Sequence, residues 1–452
     1  MKRVLHFALW ASFAFVWNAC TPDDPTTTPD ASKNKTEATT AELANEYFRH
    51  SISLTKSTAG FTPPVAARSF GYLGLTLYEA VVGGMSDHKS LQGALQGLKE
   101  GDLPAPQTGQ TYHWGECANR ALSVMMLKLY PTASLDSLAN VTATERKYEL
   151  QFESEVDEAT FERSKEYGTA LAEAMFRYAS SDGQSRAYTS NFPAAYTVPV
   201  FTGAWVPTPP AFQKIPLQPY WGQVRTFHVG SVTQSQPPKH PNFSTDPTSA
   251  FYKDANEVFT VSQSLTDEQK GIANFWSDDP VKTGTPPGHS VSIARQVLQK
   301  ENANLALAAE TYAKVGMAVH DAFVSCWKCK YDFNLMRPVT FIRTHLGQPT
   351  WSSLLVTPPF PEYSSGHSVQ SAATAVVLSD LFGYNYSFTD ATHAARTDID
   401  GSPRTFRSFT EAADQAAVSR LYGGIHYRFG IELGVEQGKK VGKLISALPM
   451  QK

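Results

Sequence analysis

The sequence predicts an all-α protein with long ordered loops. Apolar residues recur at helical spacing over most of the chain, and no stretch alternates apolar and polar residues as a half-buried strand does. Of the 452 residues, 42% are hydrophobic against 18% charged, which is material for a substantial core.

Each element follows from local pattern. Residues 44–82 carry Ala, Leu, Tyr and Phe at helical spacing, broken at Thr62-Pro63-Pro64. Glu116 to Leu129 reads as a helix, as does Leu138 to Ser181 with an interruption near Phe152. Residues 184–250 lose all periodicity and are rich in proline and aromatics, Pro193, Trp205, Pro209, Pro210 and Trp221 among them. They predict an ordered loop layer of the kind that shapes a pocket mouth. Helices return at Thr266. Asn302 to Cys326 is apolar on most sides, which predicts a central helix. Ser368 to Phe382, Phe409 to Tyr422 and Phe429 to Leu448 complete the set. Residues 70–80 and 312–322 resemble one another, each with a glycine where helices could approach closely and an aromatic-acid-Ala ending. Two related bundles packed together would explain the pair, and so would chance.

Net charge is −3, so no overall field draws the chain to nucleic acid or an anionic membrane. An anion site has to be built from local cations. The first 20 residues read as an export signal: Lys2 and Arg3, then an apolar run from Leu5 to Trp17 that is too short to span a bilayer. Ala19-Cys20 resembles a bacterial lipoprotein signal, with Cys20 lipidated. Trp17 and Asn18 depart from that pattern and leave a plain secretion signal as the alternative. Residues 21–42 read as a flexible tether, and residues 43–452 as a single domain. Asp23-Asp24 resembles the surface-export signal of some Gram-negative lipoproteins. The expected location is the outer membrane or cell surface, or the periplasm, with membrane contact only through the lipid. Cys117, Cys326 and Cys329 leave room for one disulfide outside the cytosol. Cys326-Trp-Lys-Cys329 lies late in a helical pattern with no strand before it, so a structural pair or two buried thiols is expected there, not a redox motif.

Three segments in the last third carry chemistry. Lys330 and Arg337 lie seven apart, near two helical turns, so both could point to one side, and Pro338 changes the backbone path. Ser365-Gly366-His367 stands ahead of an apolar helix, whose first N–H groups and dipole form an anion site. Arg420 and His426 are six apart and would face apart on a straight helix, but Gly423-Gly424 can break it. Taken singly, each segment could be a solvated pair, a capped helix or a core histidine.

Together they match the pattern Lys-x6-Arg-Pro, Pro-Ser-Gly-His and Ser-Arg-x5-His, and so resemble the vanadium haloperoxidases and their phosphatase relatives across residues 327–426. The departure is Ser364, where the family usually has proline, which is expected to loosen the turn. The resemblance implies two packed helical bundles and a vanadate cofactor held by Lys330, Arg337, Ser365, Gly366, His367, Arg420 and His426. His426 would be the axial vanadium ligand, His367 the acid–base, and Lys330 the hydrogen-bond donor to the oxygen that a halide attacks. The partners implied are hydrogen peroxide, a halide and an organic halogen acceptor. Iodide is favoured, then bromide, since chloride is hardest to oxidise.

The same cradle would hold phosphate, and the alternative activity is an acid phosphatase acting through a phosphohistidine at His426. Trp327 and Phe360 resemble the aromatics lining the halide pocket of chloroperoxidases and bacterial iodoperoxidases, and tip the expectation to haloperoxidase. Core packing would also explain them. A non-catalytic surface lipoprotein that binds a glycan through its aromatic loops is the third class. Phe275–Asp279 and Thr285–His289 read as structural loops that could border the pocket, and His320-Asp321 as a core or supporting pair.

Overall fold

The computed structural model describes Met1 and residues 35–452. The expected export signal, its Cys20 and most of the tether lie outside the described residues. Residues 35–42 of that tether segment are laid against the bundle. Thr36 is buried and its Oγ1 donates to Val81 O at 2.8 Å.

The helices are α1 (Glu42–Ser57), α2 (Pro63–Val81), α3 (Trp114–Leu129), α4 (Leu135–Glu153), α5 (Glu158–Ser180), α6 (Ala250–Ser262) and α7 (Asp267–Phe275). They continue with α8 (Thr285–Lys300), α9 (Leu305–Phe333), α10 (Pro338–His345), α11 (Gly366–Phe382), α12 (Phe409–Tyr422) and α13 (Arg428–Ser446). The strands among the described residues are β1 (Phe388–Asp390) and β2 (Arg404–Phe406), a short antiparallel pair. The fold is all-α as the sequence predicts.

Local chemistry sets the helix starts. Ser134, Asp157, Ser249, Asn304 and Ser408 each accept a backbone N–H from the first turn of α4, α5, α6, α9 and α12. Such caps contribute about 1 kcal/mol each. Thr266 and Gln269 form a reciprocal capping box on α7. Prolines occupy the first turns of α2, α8 and α10, where their missing N–H costs nothing. The Thr285–His289 segment is therefore the first turn of α8 and not a loop.

α9 is the axle, and it is buried over nearly its whole length. On one side it packs against α2, which with α3 and α5 forms a first bundle; on the other, α11, α12 and α13 form the second. The paired glycines of the internal resemblance meet here. A Cβ on Gly74 would lie 2.3 Å from Tyr312 O, and one on Gly316 2.5 Å from Phe70 O, so each glycine admits the other helix's backbone. In the same way a Cβ on Gly438 of α13 would lie 2.1 Å from Val369 O of α11. This close seam fixes where α11 begins.

Residues 184–249 are irregular apart from two single turns of 3-10 helix, Ala187–Thr189 and Trp221–Gln223. They wrap the end of α9: Trp205 N donates to Asn334 O, and Leu217 O accepts from Trp327 Nε1 at 3.3 Å and Tyr331 Oη at 2.5 Å. Cys117, Cys326 and Cys329 are buried free thiols, and no described helix is long and apolar enough to cross a membrane.

Candidate active site

Lys330 sits in the last turn of α9, which Asn334 ends by turning left-handed (φ 46°, ψ 41°). Arg337 is the residue before α10. The two do not share a helix face, as their seven-residue spacing suggests. The turn between the helices brings them together instead. Lys330 Nζ is wholly buried and donates to the carbonyls of Pro361 (3.0 Å), Glu362 (2.9 Å) and Ser364 (2.6 Å), beneath the Phe360 ring at 5.1 Å. Arg337 Nε donates to Phe360 O at 2.8 Å and Nη1 to Ile425 O at 2.9 Å, while Nη2 is buried without a partner. Burial pushes Lys330 down to about 8 and Arg337 down to about 10.

α11 begins at Gly366 because Ser365 caps it, its Oγ accepting from Ser368 N at 3.4 Å. The nearest atom to a Cβ on Gly366 would be Trp327 Cζ3 at 3.7 Å, so the space above this glycine is free of backbone. His367 follows, half-buried, with its Nε2 unpartnered. The turn ahead is not loosened by Ser364. Its Oγ donates to Gln437 Oε1 at 2.5 Å, and its carbonyl accepts from Lys330 and from the Cys326 thiol at 3.4 Å. The Tyr363–Ser364 peptide is cis.

α12 stops at Tyr422, and Gly424 turns back with φ +75°. This break brings His426 and Arg420 to one cavity. Arg420 Nε donates to Ser419 Oγ at 2.9 Å and Nη2 to Trp276 O at 2.7 Å. The orientation of His426 follows from its partners. A guanidinium only donates, so Arg337 Nη1, 3.1 Å from His426 Nε2, requires a lone pair on that nitrogen. The proton of the neutral ring therefore sits on Nδ1 and is donated to Glu362 Oε1 at 2.6 Å. Glu362 Oε1 also accepts from Tyr427 N at 3.1 Å. Burial, and then Arg337 and Lys330, hold His426 well below the ordinary histidine range; burial and then Arg420 do the same for His367. Burial lifts Glu362 to about 7.

These groups border a cavity of about 300 Å³. Gly366, His367, Arg420 and His426 line its polar end, and Trp327, Phe360, Phe323, Leu217 and Phe192 its apolar walls. Lys330, Arg337 and Ser365 lie fully buried behind it. The two histidines, far apart along the chain, share one pocket.

Residues 310–451 match the family model for the VCPO second helical-bundle domain. A bacterial vanadium-dependent iodoperoxidase of known structure superposes with a TM-score of 0.81 at 35% identity, covering 91% of this chain and 97% of the other. The chain belongs to the vanadium-dependent haloperoxidases. The vanadium chloroperoxidase of Curvularia inaequalis is 27% identical over a match covering 34% of this chain, and the match spans about a third (35%) of that relative's length. A bacterial vanadium-dependent chloroperoxidase of known structure shares the fold, with a TM-score of 0.64 at 16% identity over 86% of this chain and 92% of the other.

Two features of this haloperoxidase escape the sequence reading. Glu362 lies inside the Phe360–His367 stretch, yet its tie to His426 spans 64 positions and shows only in the fold. The other is the tie from Asp278 to His289 of α8 at 2.8 Å; that Asp278 lines the cavity agrees with Phe275–Asp279 as a stretch that could border the pocket. His320 and Asp321 take no part in the pocket. His320 Nε2 donates to Arg225 O at 3.1 Å, and Asp321 accepts from Phe227 N, His228 N and Ser231 Oγ, pinning the loop layer.

Proposed function

We propose that this haloperoxidase holds vanadate between α9, α11 and α12 and oxidises halide with hydrogen peroxide, iodide most readily and bromide next. The observation that carries this reading is the Nε2 of His426, an unprotonated nitrogen fixed by Glu362 beside a cavity that Arg420 lines, with Arg337 in contact with the same nitrogen. Three further features suit a tetrahedral oxyanion: the unpartnered Arg337 Nη2, the unpartnered His367 Nε2, and the clear space over Gly366. A phosphate-sized anion needs several fixed donors around a small volume, and guanidinium forks supply them in pairs.

His426 Nε2 would bond vanadium in place of its contact with Arg337 Nη1. Arg337 and Arg420 would hold the vanadate oxygens, with Ser365 and the Gly366 N–H at the start of α11. Lys330 spends its three donors on carbonyls, so it reaches an oxyanion oxygen by exchanging one of those bonds. When bound, vanadate supplies a Lewis acid that activates peroxide without changing its own oxidation state. His367 is neutral and offers Nε2 as acceptor for a proton of hydrogen peroxide. Trp327 and Phe360, 5.0 Å apart, form the wall where a large, weakly hydrated halide approaches. Iodide suits such a wall best, and the likeness to a bacterial iodoperoxidase supports iodide as a substrate.

Export and a lipid anchor at Cys20 belong to the proposal on the strength of residues 1–20 alone. The deciding assay compares oxidation of iodide, bromide and chloride by peroxide in the vanadate-loaded chain, beside hydrolysis of p-nitrophenyl phosphate by the vanadate-free chain. The expected kcat/KM order is iodide, bromide, chloride. Phosphate release without halide oxidation would replace this reading with a phosphatase.

A further inference from the structure

Beside the vanadate cradle lies a second buried cluster with its own chemistry. Asp278 stands in the turn after α7, His289 in the first turn of α8, and His393 in the loop after β1. All three are about 2% exposed. His289 Nδ1 lies 2.8 Å from Asp278 Oδ2, and His393 Nε2 lies 3.3 Å from Asp278 Oδ1. One donor atom from each residue falls within 4.8 Å of the others.

We propose that Asp278, His289 and His393 bind a divalent transition-metal ion of the zinc class, at a site that meets the cavity only through Asp278. Four observations carry this. The donor set is two imidazoles and one carboxylate from three separate elements, a combination that leaves zinc a fourth, open position. Asp278 Oδ1 and His393 Nε2 lie 3.3 Å apart in the interior, and neither has a partner other than this poorly aligned contact. The far nitrogen of His289 is held by Asp390 Oδ2 at 2.6 Å, and Asp390 in turn accepts from Thr392 N at 2.9 Å. A carboxylate on the outer nitrogen is how metal-ligating histidines have their tautomer fixed. Finally, two buried carboxylates flank the single His289 imidazole, so anionic oxygens sit on the donor set that a cation would use.

The surroundings suit a closed site. The Trp276 ring stacks on His289 at 4.6 Å, and Phe275 stands edge-on to His393 at 5.0 Å. Asp278 also lines the cavity, which gives an ion its way in. The site has a consequence for its neighbour. Trp276 O accepts from Arg420, so an ion that ties the turn after α7 to α8 also steadies the arginine of the oxyanion cradle. For His289 Nδ1 to bind zinc, any proton it shares with Asp278 leaves to solvent, with no change of oxidation state.

The test uses the full chain stripped of metal, reloaded with zinc in the presence of saturating vanadate, and freed of excess by gel filtration. One zinc per chain is expected by elemental mass spectrometry. H393A and D278N should lose that equivalent while keeping the far-UV spectrum, and H426A should keep it. Zinc lost from H426A but retained in H393A places the ion in the catalytic cavity and overturns the proposal, as does failure of the parent chain to retain zinc. Should the variants not fold, anomalous diffraction at the zinc edge from the parent chain decides. A peak among Asp278, His289 and His393 supports the site, and its absence overturns it.

Discussion

His426 and Glu362 show how one hydrogen bond fixes a tautomer. The carboxylate holds the proton on Nδ1, which leaves the lone pair on Nε2, where Arg337 Nη1 meets it and where vanadate is proposed to bind. Replacing a partner of this kind costs about 10–100-fold in metal affinity. E362Q, whose amide can donate to Nδ1 and reverse the tautomer, should weaken vanadate binding by about that factor with the helical spectrum unchanged. Equal affinity, read by equilibrium dialysis, would remove Glu362 from the mechanism. Gly366 offers a second test. A Cβ there meets only ordinary contacts, the nearest at 3.7 Å, so G366A should keep its thermal midpoint yet bind vanadate more weakly, because the methyl group takes space beside the N–H. A fall in stability without a fall in affinity would show the glycine to be structural. The residues gathered at and behind the cavity were legible in the sequence because their types and order form a pattern. Glu362 was not, since a carboxylate beside a proline carries no mark of a partner 64 positions away.

Among the elements, α11, α12 and α13 were legible to within two residues, whereas α9 runs to Phe333, past the Cys326 end that its pattern suggested, and α6 lies ahead of Thr266, where helices were expected to return. Gly423-Gly424 was read as the break that lets Arg420 and His426 converge, and the backbone turns there. The Lys330–Arg337 spacing misled, because Asn334 stops α9 with a left-handed residue that periodicity does not announce. The first turn of α8 was missed for a related reason: Thr285-Pro-Pro-Gly has loop composition, yet proline suits a helix start. The glycine shared by residues 70–80 and 312–322 was legible as a close approach, and the structure shows backbone where side chains would be. G316A should therefore force α2 and α9 apart and cost about 1–3 kcal/mol in denaturant unfolding. An unchanged midpoint would mean that the helices slide at no cost.

At the scale of the whole molecule, burial governs the electrostatics as much as charge does. Glu116 in α3 has one oxygen bonded by Asn119 at 3.1 Å and the other unpartnered, and burial lifts it from 4.5 to about 8. Between those values the folded chain keeps a proton that the unfolded chain has released, so stability falls as pH rises through that window. E116Q, which cannot ionise, should gain about 2–4 °C on the parent chain at pH 9 relative to its position at pH 5. A difference that does not vary with pH contradicts this. The same burial holds His367 and His426 well below the ordinary histidine range beside Lys330, Arg337 and Arg420, the combination on which the proposed anion site rests in a chain of net charge −3. The most direct measurement is the rate of triiodide formation at fixed peroxide and iodide as vanadate is added to the vanadate-free chain. The rate should rise from background and level off at one vanadate per chain, and H426A should stay at background throughout. A rate indifferent to vanadate, or restored equally in H426A, would contradict the assignment of this cradle.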